Sequence, residues 1–112
     1  MKKLMVTLAL ALACCAQAFA GAVWHSSTVR NIYPLANGDV VIVFDTDAPT
    51  CTNASSPKYH YVRVGENGMT KDGLKNILAT ALAAASMGKT VTINFDDATS
   101  GCFVNRLSVA FN

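Results

Sequence analysis

Apolar residues in this chain fall in short runs and alternations that predict five β-strands. Segment 39–44 is a β-branched run and the strongest strand signal, because Val and Ile favour extended backbone. Segment 90–95 alternates apolar and polar positions, which points Val91, Ile93 and Phe95 toward a core. The remaining predicted strands are 27–35, 59–64 and 103–111. The last of them is expected to face inward with Val104 or Leu107, Val109 and Phe111.

A helix is predicted between the third and fourth strands. Thr70 is suited to cap its N-terminus, Asp72 suits the positive end of the helix dipole, and Gly88 is placed to end the helix. Apolar residues recur there at helical spacing and predict one core-facing stripe. The stripe consists of Leu74, Ile77, Leu78, Ala81, Leu82 and Ala85.

The order of these elements predicts the fold class. Asn37-Gly38 indicates a hairpin between strands one and two, because both residues tolerate positive φ. Three strands, a helix and two strands is the order of the OB-fold, a five-stranded Greek-key barrel. We therefore expect a mainly β, α+β domain over 21–112, OB-fold-like with its helix between strands three and four. Other α+β meanders share this order.

The first 20 residues have the pattern of a secretory signal peptide. Two lysines precede an apolar run over 4–15, and Ala18 and Ala20 give the small-x-small spacing of a cleavage site before Gly21. The run is shorter than the roughly 20 apolar residues that span a bilayer, so no stable anchor is expected after cleavage. Lipoprotein processing at Cys14 is the alternative. The mature protein is therefore expected to be periplasmic or secreted.

Removal of this segment changes the charge of the protein. The whole chain has 9 Lys and Arg against 7 Asp and Glu. Lys2 and Lys3 leave with the signal peptide, so the mature chain carries seven charges of each sign. A neutral domain lacks the basic surface that binds nucleic acid or anionic lipid, and neither is expected as a partner.

Two of the 4 cysteines, Cys51 and Cys102, remain after cleavage. An oxidising compartment favours a disulfide between them, which is expected to stabilise the fold by roughly 4 kcal/mol through lost chain entropy. The alternative is a catalytic or metal-binding thiol. His25 and His60 are the only histidines, and neither stands at ligand spacing from a cysteine.

No catalytic or metal-binding pattern is evident. Nucleophilic catalysis needs a base beside Ser, Thr or Cys, and both histidines are expected to be structural or half-exposed. The acidic pairs Asp45-x-Asp47 and Asp96-Asp97 follow strands, where Asp favours local turn hydrogen bonds. We expect no enzyme activity, no metal and no cofactor.

Aromatic residues supply the main candidate surface. Alternation along the third strand places Tyr59, Tyr61 and Arg63 on one face and His60, Val62 and Val64 on the other. Such a face suits stacking on a sugar or contact with a partner protein. The alternative is that these side chains pack over the barrel or line a subunit interface.

The layout of 21–112 combines Trp24 just after the cleavage site, Cys51 before strand three, an Ala/Leu helix that ends at Gly88-Lys89, and Cys102 before strand five. The helix end leads into Val91-x-Ile93. This layout resembles the small exported binding (B) subunits of bacterial toxins, of which the subtilase cytotoxin subunit is the best known.

That resemblance implies an OB-fold subunit that assembles into a pentameric ring and binds sialylated or similar glycans. The sugar pocket of that family uses the start of the first strand, including a Ser hydroxyl. The matching stretch here is Arg30-Asn31-Ile32-Tyr33-Pro34, with Pro34 near the place of the Ser. Arg30, Asn31 and Tyr33 are the ligand-binding candidates that the resemblance adds.

Three functions remain open from the sequence. The first is an exported binding module of the toxin-B type that recognises a glycan or a receptor without catalysis. The second is a periplasmic or secreted protein-interaction domain with no role in sugar binding. The third, a small exported hydrolase, has the least support because no triad or metal set is evident.

Overall fold

The structure is a computed structural model, and it describes residues 22–112. The predicted signal peptide and its cleavage site before Gly21 lie outside the described residues. The elements are β1 (Ala22–Pro34), β2 (Val40–Phe44), β3 (His60–Val62), α1 (Lys71–Ser86), β4 (Thr90–Asp96) and β5 (Val104–Val109). This confirms the predicted element order and the mainly β, α+β class.

The five strands form one antiparallel sheet in the order β3-β2-β1-β4-β5. β1 is 13 residues long and serves both halves of the sheet. Its first part, Ala22 to Thr28, pairs with β4. Its second part, Val29 to Pro34, pairs with β2, with a register shift between Val29 and Asn31. The predicted start at residue 27 was wrong, because pairing with β4 extends this strand back to Ala22.

The predicted hairpin joins β1 to β2. Leu35 N–H donates to the carbonyl of Asp39 at 2.8 Å, and Gly38 N–H donates to the carbonyl of Leu35 at 3.0 Å. Gly38 has a φ of 96°, which a side chain would disfavour. The prediction of a turn at Asn37-Gly38 is confirmed.

The core lies between the inner face of the sheet and α1. Every residue of β2 is buried, and the inward positions of β4 follow the predicted alternation. α1 contributes a small-residue contact through Ala81 and Ala84, both fully buried. The buried core cluster also includes Val40, Ile42, Phe44, Val62, Met69, Leu74, Val91, Ile93, Phe95 and Val104.

Both ends of α1 are capped as predicted. Thr70 accepts a hydrogen bond from the Gly73 N–H at 3.0 Å. Gly88, at a φ of 65°, follows the C-cap, and Lys89 N–H returns to the Ala84 carbonyl at 2.9 Å. The predicted stripe was wrong at Leu82, which is 51% exposed. It follows the buried Ala81 by about 100° around the helix axis, which turns it to solvent.

Two strands are shorter than predicted, and each shortening exposes an apolar residue: Val64, predicted on the face of His60 and Val62, and Phe111, predicted to point inward. β3 ends at Val62, where its pairing with Val40 ends. The chain then turns, with Glu66 N–H donating to the Arg63 carbonyl at 3.1 Å, and Val64 is 51% exposed. β5 ends at Val109, the last partner of β4, so Phe111 extends beyond the sheet and is 52% exposed.

A disulfide joins Cys51 to Cys102, as predicted, across 51 positions of sequence. It links the loop after β2 to the segment before β5, and both of its cysteines are buried. Beside it, the Tyr61 N–H donates to the Gly101 carbonyl at 3.2 Å. The two end strands of the sheet, β3 and β5, are therefore brought together at this point.

Replacement of both cysteines by Ala is expected to lower the free energy of unfolding by about 4 kcal/mol, because a bridge over such a loop restricts the unfolded chain. Urea unfolding followed by circular dichroism measures the change. The reduced unchanged protein is the matched control, since it lacks the bridge but keeps both side chains. A loss below about 1 kcal/mol in both samples would contradict this role for the bridge.

Candidate functional site

Four aromatic rings and one arginine form a continuous surface on the outer side of the sheet. Tyr33 lies 5.8 Å from Tyr59, Tyr59 lies 6.2 Å from Tyr61, and Tyr61 lies 6.4 Å from Phe103, measured between ring centroids. The guanidinium of Arg63 is 5.3 Å from the ring centres of both Tyr61 and Phe103. We call these five residues the tyrosine–arginine surface.

Strand register places this surface opposite the core. Tyr33 pairs with Val41 on β2, and Val41 pairs with Tyr61 on β3. Paired residues point to the same side of a sheet, so these three side chains share one face. Val41 is 1% exposed although it is outside the core cluster. The tyrosines therefore flank a second buried layer on the outer side of β2.

Arg63 is held in a fixed orientation by a buried carboxylate. Its Nε lies 2.7 Å from Oδ2 of Asp39, whose side chain is only 8% exposed. Asn37 supports Asp39 in turn, by accepting from its backbone N–H at 3.0 Å and donating to its carboxylate at 3.3 Å. Within residues 22–112 the two η nitrogens of Arg63 make no hydrogen bond. They remain available to an acceptor from outside the protein.

A shallow open cleft of about 450 Å³ adjoins Arg63, Tyr61 and Phe103. This volume is in the range of small-ligand sites. The cleft combines aromatic walls with a guanidinium, a carboxylate, hydroxyls and an amide, a mixture that suits a polar ligand with one apolar side. Its further lining residues are Asn53, Glu66, Thr99, Ser100 and Gly101.

Asn53 positions Tyr59 within the long loop after β2. Its Nδ2 donates to the Tyr59 carbonyl at 2.5 Å, while its Oδ1 accepts from the Tyr59 N–H at 3.2 Å. The same oxygen accepts from the Ser55 N–H at 3.2 Å, and Lys58 Nζ donates to the Asn53 carbonyl at 2.6 Å. The side-chain amide of Asn53 thus satisfies both backbone groups of Tyr59, as a paired strand would, in a segment without regular secondary structure.

The structure brings together four of the six sequence-predicted ligand candidates: Tyr33, Tyr59, Tyr61 and Arg63. Arg30 and Asn31 are exposed on β1. Arg30 stands at the register shift, and neither residue has a ring contact or a side-chain hydrogen bond to the tyrosine–arginine surface within residues 22–112.

Sequence reasoning missed Phe103 as a member of this surface. The sequence pattern predicts it as the first residue of the last strand, whereas β5 begins at Val104. The signal that could have revealed it is the predicted disulfide. Cys102 must lie beside Cys51 and hence near the start of β3, so the next residue along the chain, Phe103, approaches Tyr61 and Arg63.

Trp24 belongs to a different part of the molecule. It pairs with Asn94 on β4, and Asn94 pairs with Arg106 on β5, whose guanidinium lies 5.8 Å from the Trp24 ring centre. Trp24 is 58% exposed. This position on the β1–β4–β5 part of the sheet makes it a useful control for tests of the tyrosine–arginine surface.

The two histidines lie on the inner side of the sheet. His60 is 1% exposed and His25 is half-buried, with their rings stacked 6.3 Å apart. His25 Nε2 donates a hydrogen bond to the Thr46 carbonyl at 2.7 Å. Within the described residues no Ser, Thr or Cys side chain is hydrogen-bonded to either ring, so neither histidine is arranged as the base of a nucleophile.

The acidic pairs accept hydrogen bonds, and the predicted local turn bond is confirmed at Asp96. Asp47 accepts from the Lys58 N–H at 2.9 Å, and Asp96 accepts from the Ala98 N–H at 2.8 Å. Asp45 accepts from the Thr28 hydroxyl. In residues 22–112 no group of three or more His, Cys, Asp or Glu side chains is placed to hold a metal ion.

No family model matches the sequence, and comparison with curated proteins finds no match. In the part of the chain that the structure describes, no helix is long and apolar enough to cross a membrane. The tyrosine–arginine surface is the feature of the described residues that bears most directly on function.

Replacement of Asn53 by Ala is expected to lower the free energy of unfolding by about 1–3 kcal/mol, because both backbone groups of Tyr59 lose their partner. Urea unfolding measures the loss, and aromatic NMR signals report the displacement of Tyr59. Asn31→Ala is the matched control, since Asn31 is exposed and is expected to change stability by less than about 0.5 kcal/mol. Equal effects of the two substitutions would show that the Asn53 bonds do not hold the loop.

Proposed function

We propose that this protein is an exported, non-catalytic binding module that recognises a glycan through the tyrosine–arginine surface. The observation that carries the proposal is the position of Arg63. Its guanidinium lies 5.3 Å from the centres of both the Tyr61 and Phe103 rings, while Asp39 fixes its Nε. This arrangement places aromatic rings that are tilted by 39–68° to their neighbours beside free guanidinium N–H groups.

The chemistry of sugars fits such a surface. One side of a pyranose ring is largely C–H and packs against an aromatic face, while its hydroxyls need hydrogen-bond partners. Tyr33, Tyr59 and Tyr61 offer ring faces and phenol groups, and the Arg63 η nitrogens offer donors. Because Asp39 and Asn53 already order two of these residues, binding costs less conformational entropy.

The finer fold that we propose is an OB-fold-like Greek-key barrel over 21–112. In support, the two end strands of the sheet, β3 and β5, meet through the Tyr61–Gly101 hydrogen bond and the neighbouring disulfide. Full or partial closure protects strand edges that would otherwise be open to association. A pentameric ring is the assembly that the toxin-B resemblance suggests, and the solution mass of the purified protein tests it.

Export is the second part of the proposal. The buried disulfide supports it, since such bridges persist in oxidising compartments. We expect mass spectrometry of the exported protein to show an N-terminus at Gly21. An N-terminus at Cys14 with added lipid mass would instead establish the lipoprotein alternative.

A protein-interaction domain without a sugar role is the alternative function. The observation that favours it is the contact of aromatic residues with arginines, of half-buried Tyr61 with Arg63 and of exposed Trp24 with Arg106. Tyr, Trp and Arg dominate the energetics of many protein interfaces. Nucleic acid is not proposed, because the mature chain is neutral.

A glycan array probed with the purified protein tests the main proposal. Tyr61→Ala is expected to weaken binding to the selected glycans at least tenfold, equivalent to about 1.4 kcal/mol. Asp39→Asn is expected to weaken it as well, because Arg63 loses its anchor. Trp24→Ala is the matched control, an exposed aromatic residue outside the surface, and is expected to bind as the unchanged protein does.

Two outcomes would overturn the proposal. The first is binding that Tyr61→Ala leaves intact while Trp24→Ala abolishes it. The second is an array without any bound glycan. In that case, retention of a single envelope protein by the unchanged protein but not by Tyr61→Ala would establish the interaction-domain alternative.

A further inference from the structure

β3 connects the core to the tyrosine–arginine surface in a three-residue strand. His60 points inward and is 1% exposed, while Tyr61, the next residue, points outward. The His60 ring contacts three other rings: Phe95 at 4.7 Å, Phe44 at 5.3 Å and His25 at 6.3 Å between centroids. A residue that can become charged is therefore enclosed by aromatic rings directly behind the binding surface.

Neither ring nitrogen of His60 has a hydrogen-bond partner within residues 22–112. Burial lowers its pKa from 6.5 to about 4, and the Cys102 backbone opposes that shift without reaching hydrogen-bond geometry. The ionisable groups facing it are His25 on β1, which also lowers the pKa, and Asp47 in the loop after β2, which raises it. β2 and β4 contribute the uncharged rings of Phe44 and Phe95.

An imidazolium ion cannot stay in this enclosure without a large desolvation cost, so protonation favours a conformation in which His60 reaches water. β3 is well placed to supply that conformation. It ends the sheet and pairs with β2 through only three residues, and its Tyr61 N–H is held by Gly101 from the other side. Short edge elements open at lower free energy than the core.

We propose that acidification opens β3 at His60 and thereby dismantles the tyrosine–arginine surface, so that the protein releases its ligand in acid. The surface depends on this strand, because Tyr61 lies within β3 and Tyr59 and Arg63 flank it. The release of a glycan rests on the proposed function, whereas the opening of the strand does not.

The direction of the pH effect follows from proton linkage. His60 in the closed form has a lower pKa than in an open, hydrated form, where it returns toward 6.5. The closed form therefore has its full stability above pH 6.5 and loses it as the pH falls toward 4. One proton is bound on opening, so the open population rises by up to tenfold per pH unit, with a limit of about 300-fold from well above pH 6.5 to well below pH 4.

Amide hydrogen exchange by NMR between pH 7 and pH 4 tests the opening without any ligand. After correction for the intrinsic pH dependence of exchange, the protection of the Tyr61 amide is expected to fall by up to tenfold per pH unit below 6.5. At every pH the Tyr61 amide is expected to be less protected than the Ile93 amide in β4. A single protection factor for both would indicate global unfolding and overturn the proposal.

Two substitutions assign the effect to His60. His60→Phe keeps an aromatic ring in the enclosure but cannot be protonated, and it is expected to remove the pH dependence at Tyr61. His60→Leu is the second variant if the phenylalanine does not pack. His25→Phe is the matched control and is expected to retain the dependence. Loss of the dependence in His25→Phe, or its persistence in His60→Phe, would overturn the assignment.

A glycan selected from the array separates this inference from the proposed function. The unchanged protein is expected to bind it less tightly at pH 5 than at pH 7, whereas His60→Phe is expected to bind equally at both. Opening in acid without any glycan binding would defeat the proposed function and leave the opening of β3 standing. Equal glycan binding by the unchanged protein at both pH values would overturn acid release.

Discussion

The join between the two ends of the sheet is the constraint on which the rest of this structure depends. The Cys51–Cys102 disulfide and the Tyr61–Gly101 hydrogen bond hold β3 against the segment before β5. β3 and the segment before β5 are distant in sequence, so chain entropy opposes their meeting. The covalent bridge offsets much of that entropic cost. Because Phe103 directly follows Cys102, the same join places the second aromatic ring beside Arg63.

The core and the tyrosine–arginine surface are coupled because β2 and β3 contribute packed side chains to both faces of the sheet. On the inner face, His60 and Val62 pack among the core residues; on the outer face, Tyr61 lies beside the buried Val41. A displacement of β3 therefore alters both environments together. This coupling links a change in the charge of His60 to the geometry of the tyrosine–arginine surface. On either side of β3, Asp39 holds Arg63 and Asn53 holds Tyr59.

Features set by local physics could be predicted from the sequence. The hairpin depends on the backbone freedom of Gly38, the helix ends depend on Thr70 and Gly88, and the inward face of β4 follows from alternation. The disulfide pairing was predictable because only two cysteines lie beyond the predicted signal peptide, which itself implies an oxidising compartment. The hairpin, the helix ends and the face of β4 depend only on residues close in sequence, and the disulfide allowed only one pairing.

The remaining features depend on contacts between distant segments, which periodicity does not encode. The early part of β1 is a strand because β4 pairs with it, and Val64 and Phe111 are exposed because their partner strands end. At the candidate site, the face shared by Tyr61 and Arg63 was predictable from strand alternation. The contribution of Asp39 was not, since it reaches Arg63 through tertiary structure, and that of Phe103 follows only by way of the predicted disulfide.

The most direct test of the central claim is NMR chemical-shift mapping of the purified protein during titration with a glycan selected from the array. We expect shifts concentrated at Tyr33, Tyr59, Tyr61, Arg63 and Phe103, with the signals of Trp24 and Arg106 unchanged. Shifts centred on Trp24 and Arg106, with the tyrosine–arginine surface unaffected, would contradict it.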